Sequence, residues 1–151
     1  MSNLIKTPFF ILLIFLFYSC ATTGMLPEDV DKIDFNSSEG KTGWSEYKQY
    51  ENFTAYTLDQ VYDAIKVGLG NAGFTIISED KMKGRIVGEH GMTLHDWNVI
   101  AGVYFKEANG LVKVAVIIEG SKDFGFSGDV TGDGWAGKIL KSARDHLSSK
   151  Y

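Results

Sequence analysis

The feature that most constrains the fold is a pair of long apolar segments joined by Asn109-Gly110. An Asn-Gly pair between two β-favouring segments is the strongest short-range signal for a two-residue hairpin turn. Residues 97–106 and 111–119 are therefore predicted to be the two longest strands of an antiparallel sheet. A two-residue turn also fixes their register, because it places Ala108 opposite Leu111 and every other pair follows from that one.

The register predicts which side chains share a face of the sheet. On one face all opposed residues are apolar, as a buried face requires: Phe105–Val114, Val103–Val116 and Ala101–Ile118. The other face is partly apolar through Tyr104 and Ile117, and Lys106 faces Lys113 there. We expect the two lysines to mark an open, solvated end, and Tyr104 to lie on a face that is either lightly covered or available for binding.

Two helices flank the strands. Thr57 and Gln60 form a capping box at the start of the first helix, and Gly73 is placed to end it in the left-handed conformation. Between them, apolar residues recur every three or four positions. A second helix is predicted from Trp135 to the end of the chain, with Asp133 at its N-cap.

Three shorter strands complete the prediction, at residues 50–57, 74–78 and 85–89. The resulting order is β-α-β-β-β-β-α, which predicts an α+β two-layer sandwich, with an antiparallel sheet of about five strands and two helices on one face. We expect a single domain over residues 47–151.

A family resemblance rests on the pattern of this region. Its parts are Tyr62-Asp63-Ala64-Ile65-Lys66, then Ala72-Gly73-Phe74, then Ser78-Glu79-Asp80 and Gly84-Arg85-Ile86-Val87. The pattern resembles small bacterial lipoprotein domains of uncharacterised function. It is also similar to the helix-grip domains of the accessory lipoprotein of the outer-membrane β-barrel assembly machinery. The resemblance implies an accessory or scaffold role at the cell envelope.

The first twenty residues are an export signal by composition. Lys6 precedes the apolar run 9–18, and Ser19 and Cys20 follow it directly. A run of this length is too short to span a bilayer as a helix, which takes about 20 residues. Residues 1–19 are therefore predicted to be a signal peptide.

The boundary at Cys20 resembles a bacterial lipoprotein cleavage site. Ser19 supplies the small residue of that pattern, whereas Phe17 and Tyr18 depart from it. The resemblance implies lipid on Cys20 and attachment to a membrane. Ala21 is not the aspartate that resembles an inner-membrane retention signal, so the outer membrane is expected. Two alternatives stay open, which are ordinary signal-peptidase cleavage that leaves a free thiol and an uncleaved N-terminal anchor.

Residues 20–46 are predicted to be the lipidated cysteine and a flexible tether. Their apolar residues are isolated and follow no period. As a coil the tether would span about 25 Å on average. The alternative is that Val30, Ile33 and Phe35 dock on the domain.

Composition excludes several classes of protein. The formal net charge is −4 and no basic cluster is present, which disfavours nucleic-acid binding. A single cysteine allows no internal disulfide. The glycines do not follow the phosphate-loop spacing, and no cofactor or metal is expected.

Candidate sites are few. His90, His95 and Asp96 could serve as an acid-base group or as metal ligands, but no ligand spacing supports this, and polar loop residues are the preferred interpretation. Likewise, residues 129–134 lack the third early oxygen ligand and the closing glutamate of a calcium loop, so a turn and helix cap is the preferred interpretation.

The aromatic residues Phe124, Phe126 and Trp135 lie in or beside a Gly-rich stretch, and with Tyr104 they form the candidate binding surface. Closure of the core is the competing interpretation for the three aromatic residues of the Gly-rich region. The sequence thus predicts a non-catalytic, membrane-anchored envelope protein that binds another protein. A carrier of a small lipid or glycan is the alternative, and an enzyme that uses His90, His95 or Asp96 is a third.

Overall fold

Residues 21–40, 47–91, 98–120 and 134–151 are described by a computed structural model. The strands are β1 (Glu39–Gly40), β2 (Tyr47–Phe53), β3 (Thr75–Asp80), β4 (Arg85–His90), β5 (Val99–Ala108) and β6 (Leu111–Gly120). They form one antiparallel sheet in the order β1-β2-β6-β5-β4-β3. Helix α1 covers Leu58–Asn71 and helix α2 covers Trp135–Lys150.

The hairpin of β5 and β6 has the predicted register. Ala108 pairs with Leu111, and the pairing continues without a shift to Val99 and Gly120. Asn109 and Gly110 both have positive φ, at 53° and 75°, as a tight hairpin turn of this kind requires. The apolar face of the hairpin is buried against the two helices, so the choice of inward side chains is confirmed.

Helix α1 begins and ends as predicted. The Thr57 hydroxyl accepts from the Gln60 amide, and the Gln60 side chain accepts from the Thr57 amide, which completes the capping box. After the helix, Gly73 takes a φ of +86°. The prediction of Asp133 as the N-cap of α2 is wrong, because Gly134 occupies that position and makes no side-chain cap. Asp133 lies outside the described residues.

The α+β sandwich is confirmed, with five main strands and two helices on one face. Some bounds differ from the prediction. The strand predicted at 50–57 runs instead from Tyr47 to Phe53, and Ala55 beyond it adopts a φ of +67°, which is not an extended conformation. A further two-residue strand, β1, pairs with the start of β2.

The prediction of a flexible tether is wrong for residues 21–40. This segment, called the strap below, lies across the outer face of the sheet, opposite the helices. Two short 3₁₀ turns, Thr23–Met25 and Val30–Lys32, shape it. Its apolar side chains build a second core with the outer face, formed by Ala21, Leu26 and Phe35 with Val87, Ile100, Tyr104, Ala115 and Ile117.

The alternative of a docked segment is therefore the correct one, and Val30 and Ile33 pack beside this second core. The strap follows no helical or strand period because its contacts are set by the surface beneath it. For that reason, hydrophobic periodicity in the sequence cannot predict this segment. Residues 41–46, which complete the predicted tether, lie outside the described residues.

Candidate binding surfaces

Tyr104 was assigned to the candidate binding surface, on an outer face expected to be either lightly covered or available for binding, and the structure shows that this face is covered. Its side chain is fully buried beneath the strap, and its hydroxyl donates to the Pro27 carbonyl oxygen at 2.7 Å. The strap therefore already occupies the apolar outer face of the chain's own sheet. Tyr104 belongs to the packing of the domain and is removed from the candidate binding surface.

Burial changes the acid-base behaviour of Tyr104. Loss of solvent around the hydroxyl raises the pKa of Tyr104 to about 12, although the nearby Arg85 guanidinium acts in the opposite direction. The Arg85 guanidinium carbon lies 6.0 Å from the centre of the tyrosine ring. The phenol therefore stays neutral across the physiological range and acts as a hydrogen-bond donor to the strap.

Polar contacts hold the strap along its length. Lys106 Nζ lies 3.1 Å from an Asp31 carboxylate oxygen, and Lys113 Nζ donates to the Asn36 side-chain oxygen at 2.9 Å. The two facing lysines, predicted to mark an open end, thus each receive a partner from the strap. These contacts are exposed, so each is expected to stabilise docking by less than about 1 kcal/mol.

Lys48 makes the most enclosed of these contacts. Its ammonium donates to the Asp34 carbonyl oxygen at 3.0 Å and to a Glu39 carboxylate oxygen at 3.1 Å, and the residue is buried. Hydrogen bonds from the Ser37 hydroxyl and the Asn36 amide, with Lys48 nearby, lower the pKa of Asp34. No periodic pattern or motif in the sequence indicates this contact, since a lysine side chain is normally exposed to solvent.

The described aromatic residues form a cluster where β4 ends and α2 begins. The rings of His90 and Trp135 are 4.6 Å apart between centroids, and Phe74 stands edge-on to both, at 5.5 and 5.6 Å. Phe74 is buried, whereas His90 and Trp135 are half-buried. Lys138 Nζ lies 4.9 Å from the centre of the Trp135 ring on the solvent side.

This cluster closes one end of the core, and it also exposes part of two rings. Trp135 packs against the main core, in line with the core-closure interpretation, yet its half-buried ring remains partly accessible. Amphipathic rings that are half-buried are common contact residues at protein interfaces. Of the two predicted surface residues that lie in the described part of the chain, Tyr104 is buried and Trp135 is at a partly accessible position.

His90 has surroundings that suit packing better than acid-base chemistry. Its Nδ1 lies 2.9 Å from the Gly91 carbonyl oxygen, and its ring contacts two aromatic rings. His95 and Asp96, its proposed partners, lie outside the described residues. Across 21–40, 47–91, 98–120 and 134–151, no three His, Cys, Asp or Glu side chains come together as a metal site.

The ends of two undescribed segments meet beside the aromatic cluster. His90 pairs with Val99, which pairs with Gly120. These strand ends border residues 92–97 and 121–133, which lie outside the described residues. Phe124 and Phe126, the remaining residues of the predicted surface, belong to the second of these segments and lie outside the described residues, as does Cys20.

A groove of about 470 Å³ separates the solvent-facing sides of α1 and α2. Its lining is mostly polar or charged, and includes Asn71, Lys141, Asp145 and His146. The Asn71 amide donates to the Ser142 hydroxyl at 2.8 Å across it. A cavity of this size and polarity suits a small hydrophilic molecule better than an acyl chain.

Neither helix in the described part of the chain is both long and apolar enough to cross a bilayer. No protein-family model matches the sequence, and no curated protein matches it.

Proposed function

We propose that this chain is a bacterial lipoprotein, attached to the outer membrane through lipid on Cys20, whose α+β domain binds another envelope protein. The observation that carries the proposal is the place of the chain's single cysteine, directly after the apolar run 9–18. Such a run ends an export signal, and lipid chains on the following cysteine would anchor the domain.

A binding role is favoured over catalysis by the surroundings of the candidate residues. His90 is held between Phe74 and Trp135 and has a backbone oxygen as its described polar neighbour. A general base needs its partner within hydrogen-bond reach, commonly a carboxylate that orients the ring. The half-buried ring of Trp135 offers instead a contact for a partner protein.

The experiment for the anchor is replacement of Cys20. We expect Cys20→Ser to abolish incorporation of labelled palmitate in cells and to move the protein out of the membrane fraction. Thr22→Ser is the matched control, because Thr22 is exposed two positions away and should leave both readouts unchanged. Unaltered labelling and fractionation of the serine variant would show that the lipoprotein proposal is wrong.

The experiment for the binding role separates Trp135 from His90. Cross-linking in cells should capture the same partner with the parent chain and with a variant that carries alanine at 90, 95 and 96. Trp135→Ala should weaken capture while the domain keeps its fold by circular dichroism. An activity that disappears in the triple-alanine variant, with folding intact, would favour an enzyme.

A second candidate is the binding of a small ligand, for which the groove between α1 and α2 is the specific observation. Its polar lining favours a glycan fragment over a lipid. A ligand that binds the folded chain raises its melting temperature, and the rise grows with the logarithm of ligand concentration above the Kd. A rise with glycan fragments that is lost in Asn71→Ala would support this candidate, and no rise up to millimolar ligand would count against it.

A further inference from the structure

We infer that the strap fixes the domain directly at the bilayer, with the end of the sheet around Gly91 and Asn98 nearest the lipid. The inference rests on the proposed function, because it needs lipid on Cys20. Its partner is the surface of the membrane itself. In this arrangement the domain is held in a defined orientation at the membrane and does not rotate freely on a flexible tether.

The residue that follows the proposed anchor is docked on the folded domain. Ala21 is only 5% exposed, and its carbonyl oxygen accepts from the Asn98 side-chain amide at 3.2 Å. Cys20 is the residue directly before Ala21 in the sequence. Between the lipidated residue and the docked chain there is no spacer.

The strap sets the direction in which the domain extends from that point. Leu26 packs at Gly102, in the middle of β5, and Asp31 reaches Lys106 near the hairpin end. From Val99 to Lys106 a strand advances about 23 Å at about 3.3 Å per residue. The strap thus runs from the anchor along the outer face of β5, and the hairpin end lies far from the lipid.

Met25 adds a second contact for the membrane beside the anchor. Its amide donates to the Thr22 carbonyl oxygen at 3.0 Å, within the first 3₁₀ turn, and the residue is 51% exposed. Its neighbour Leu26 faces the sheet and is buried. An exposed apolar side chain five residues from a lipidated position can enter the headgroup region, which limits rotation about the anchor.

The test measures the height of two positions above the bilayer. An azide-bearing residue replaces either Gly91, where a side chain meets open space, or Met82, which is fully exposed beyond the other end of β4. Each is coupled to a dye, and the lipidated mature chain is placed in phosphatidylglycerol–phosphatidylethanolamine vesicles that carry an acceptor lipid. Because β4 has six residues, we expect position 91 to lie about 20 Å closer to the bilayer than position 82.

Two insertions distinguish a docked strap from a loose tether. A 12-residue Gly-Ser segment spans about 20 Å on average. Inserted between Cys20 and Ala21, this segment should increase the distance of both dyes from the bilayer and remove the difference between their two heights. Inserted between Thr42 and Gly43, beyond the docked part, it should leave both heights unchanged. Equal heights for 91 and 82 in the parent chain, or the same rise from both insertions, would overturn the inference.

The proposed function and this inference can fail independently, and different measurements show each failure. If cells do not lipidate Cys20, the lipoprotein proposal fails. The mature chain can still be coupled through Cys20 to a maleimide lipid, and the same dyes then report whether the strap holds the domain at the membrane.

Discussion

The Tyr104 ring occupies the space above Gly102 on the outer face of β5. A Cβ atom on residue 102 would stand 2.8 Å from Tyr104 Oη, 2.9 Å from a ring carbon and 3.1 Å from Leu26 Cδ2. The absence of a side chain at 102 therefore allows the tyrosine to lie flat against the strand and to present its hydroxyl to Pro27. Glycine and tyrosine two residues apart on one face together form the seat of the strap.

Gly102→Ala is expected to loosen the strap. The added methyl group pushes on the tyrosine ring and on Leu26, and overpacking of this kind costs about 1–3 kcal/mol. Hydrogen exchange of amides in residues 21–35 should accelerate, with a smaller change in the helices. Gly91→Ala is the control, since a Cβ there meets nothing within 4 Å. Unchanged exchange in the strap of the Gly102 variant would contradict this account of the seat.

Tyr104→Phe should show a pH-dependent effect. The pKa of Tyr104 is raised to about 12, above the value of 10.0 for a free tyrosine. A raised folded pKa stabilises the fold fully below pH 10, and this contribution is lost as the pH rises from 10 to 12. The parent chain therefore loses up to about 1.4 kcal/mol per pH unit in that window through this group.

The phenylalanine variant lacks both the hydrogen bond to Pro27 and this titration. Near pH 8 we expect it to be less stable than the parent by about 0.5–1.5 kcal/mol. Between pH 10 and 11.5 the difference should shrink, because only the parent destabilises through residue 104. Urea unfolding at pH 8, 10 and 11 measures this, and a difference that is constant with pH would mean that the hydroxyl is not buried in solution.

The main sheet and helices were predictable because their residues obey local rules. Asn109-Gly110 fixes one turn and hence every pair in the central hairpin, and Thr57 with Gln60 fixes the start of α1. The inward face of the sheet follows from the alternation that this register imposes. The two-residue strand β1 could not be predicted, since so short a strand carries no period.

The strap was predicted to be a flexible tether, with docking only as the alternative, for a different physical reason. Leu26, Val30, Ile33 and Phe35 are spaced by the shape of the surface they cover, and no element period links them. The usable signal lay on the sheet, where Tyr104 and Ile117 make the outer face apolar. A sheet that is apolar on both faces needs a covering layer on both. The apolar residues before β2 were the ones not assigned to any helix or strand, so they were available to supply the second layer.

Leu26 and Met25 offer a matched pair for the strap. Leu26 is 3% exposed and packs at the seat, whereas its neighbour Met25 is half-exposed. Leu26→Ala should cost about 2–5 kcal/mol of docking free energy, as for other buried leucines. Met25→Ala in the protein without lipid should change stability by less than about 0.5 kcal/mol.

Limited proteolysis within residues 21–40 is a direct readout for this pair. The Leu26 variant should be cleaved in the strap much faster than the parent, while the core from residue 47 onward persists. The Met25 variant should match the parent. Equal cleavage of all three chains would mean that the strap does not depend on its apolar contacts.

Gly68 and Gly70, in the last turn of α1, look equivalent in sequence and differ in their surroundings. A Cβ on Gly68 would stand 2.5 Å from the Ile139 carbonyl oxygen of α2, whereas one on Gly70 meets nothing within 4 Å. The close approach of the two helices thus depends on Gly68. Gly70 carries only the helix-propensity penalty of glycine, which is about 1 kcal/mol relative to alanine.

The two alanine variants should therefore move stability in opposite directions. Gly70→Ala should raise the free energy of unfolding by up to about 1 kcal/mol. Gly68→Ala gains the same propensity, but it must displace backbone of α2, and overpacking costs about 1–3 kcal/mol. Because a backbone carbonyl cannot turn aside as a flexible side chain can, we expect net destabilisation. Urea unfolding at pH 7 measures both, and stabilisation by Gly68→Ala would show that α1 and α2 lie farther apart in solution than this packing requires.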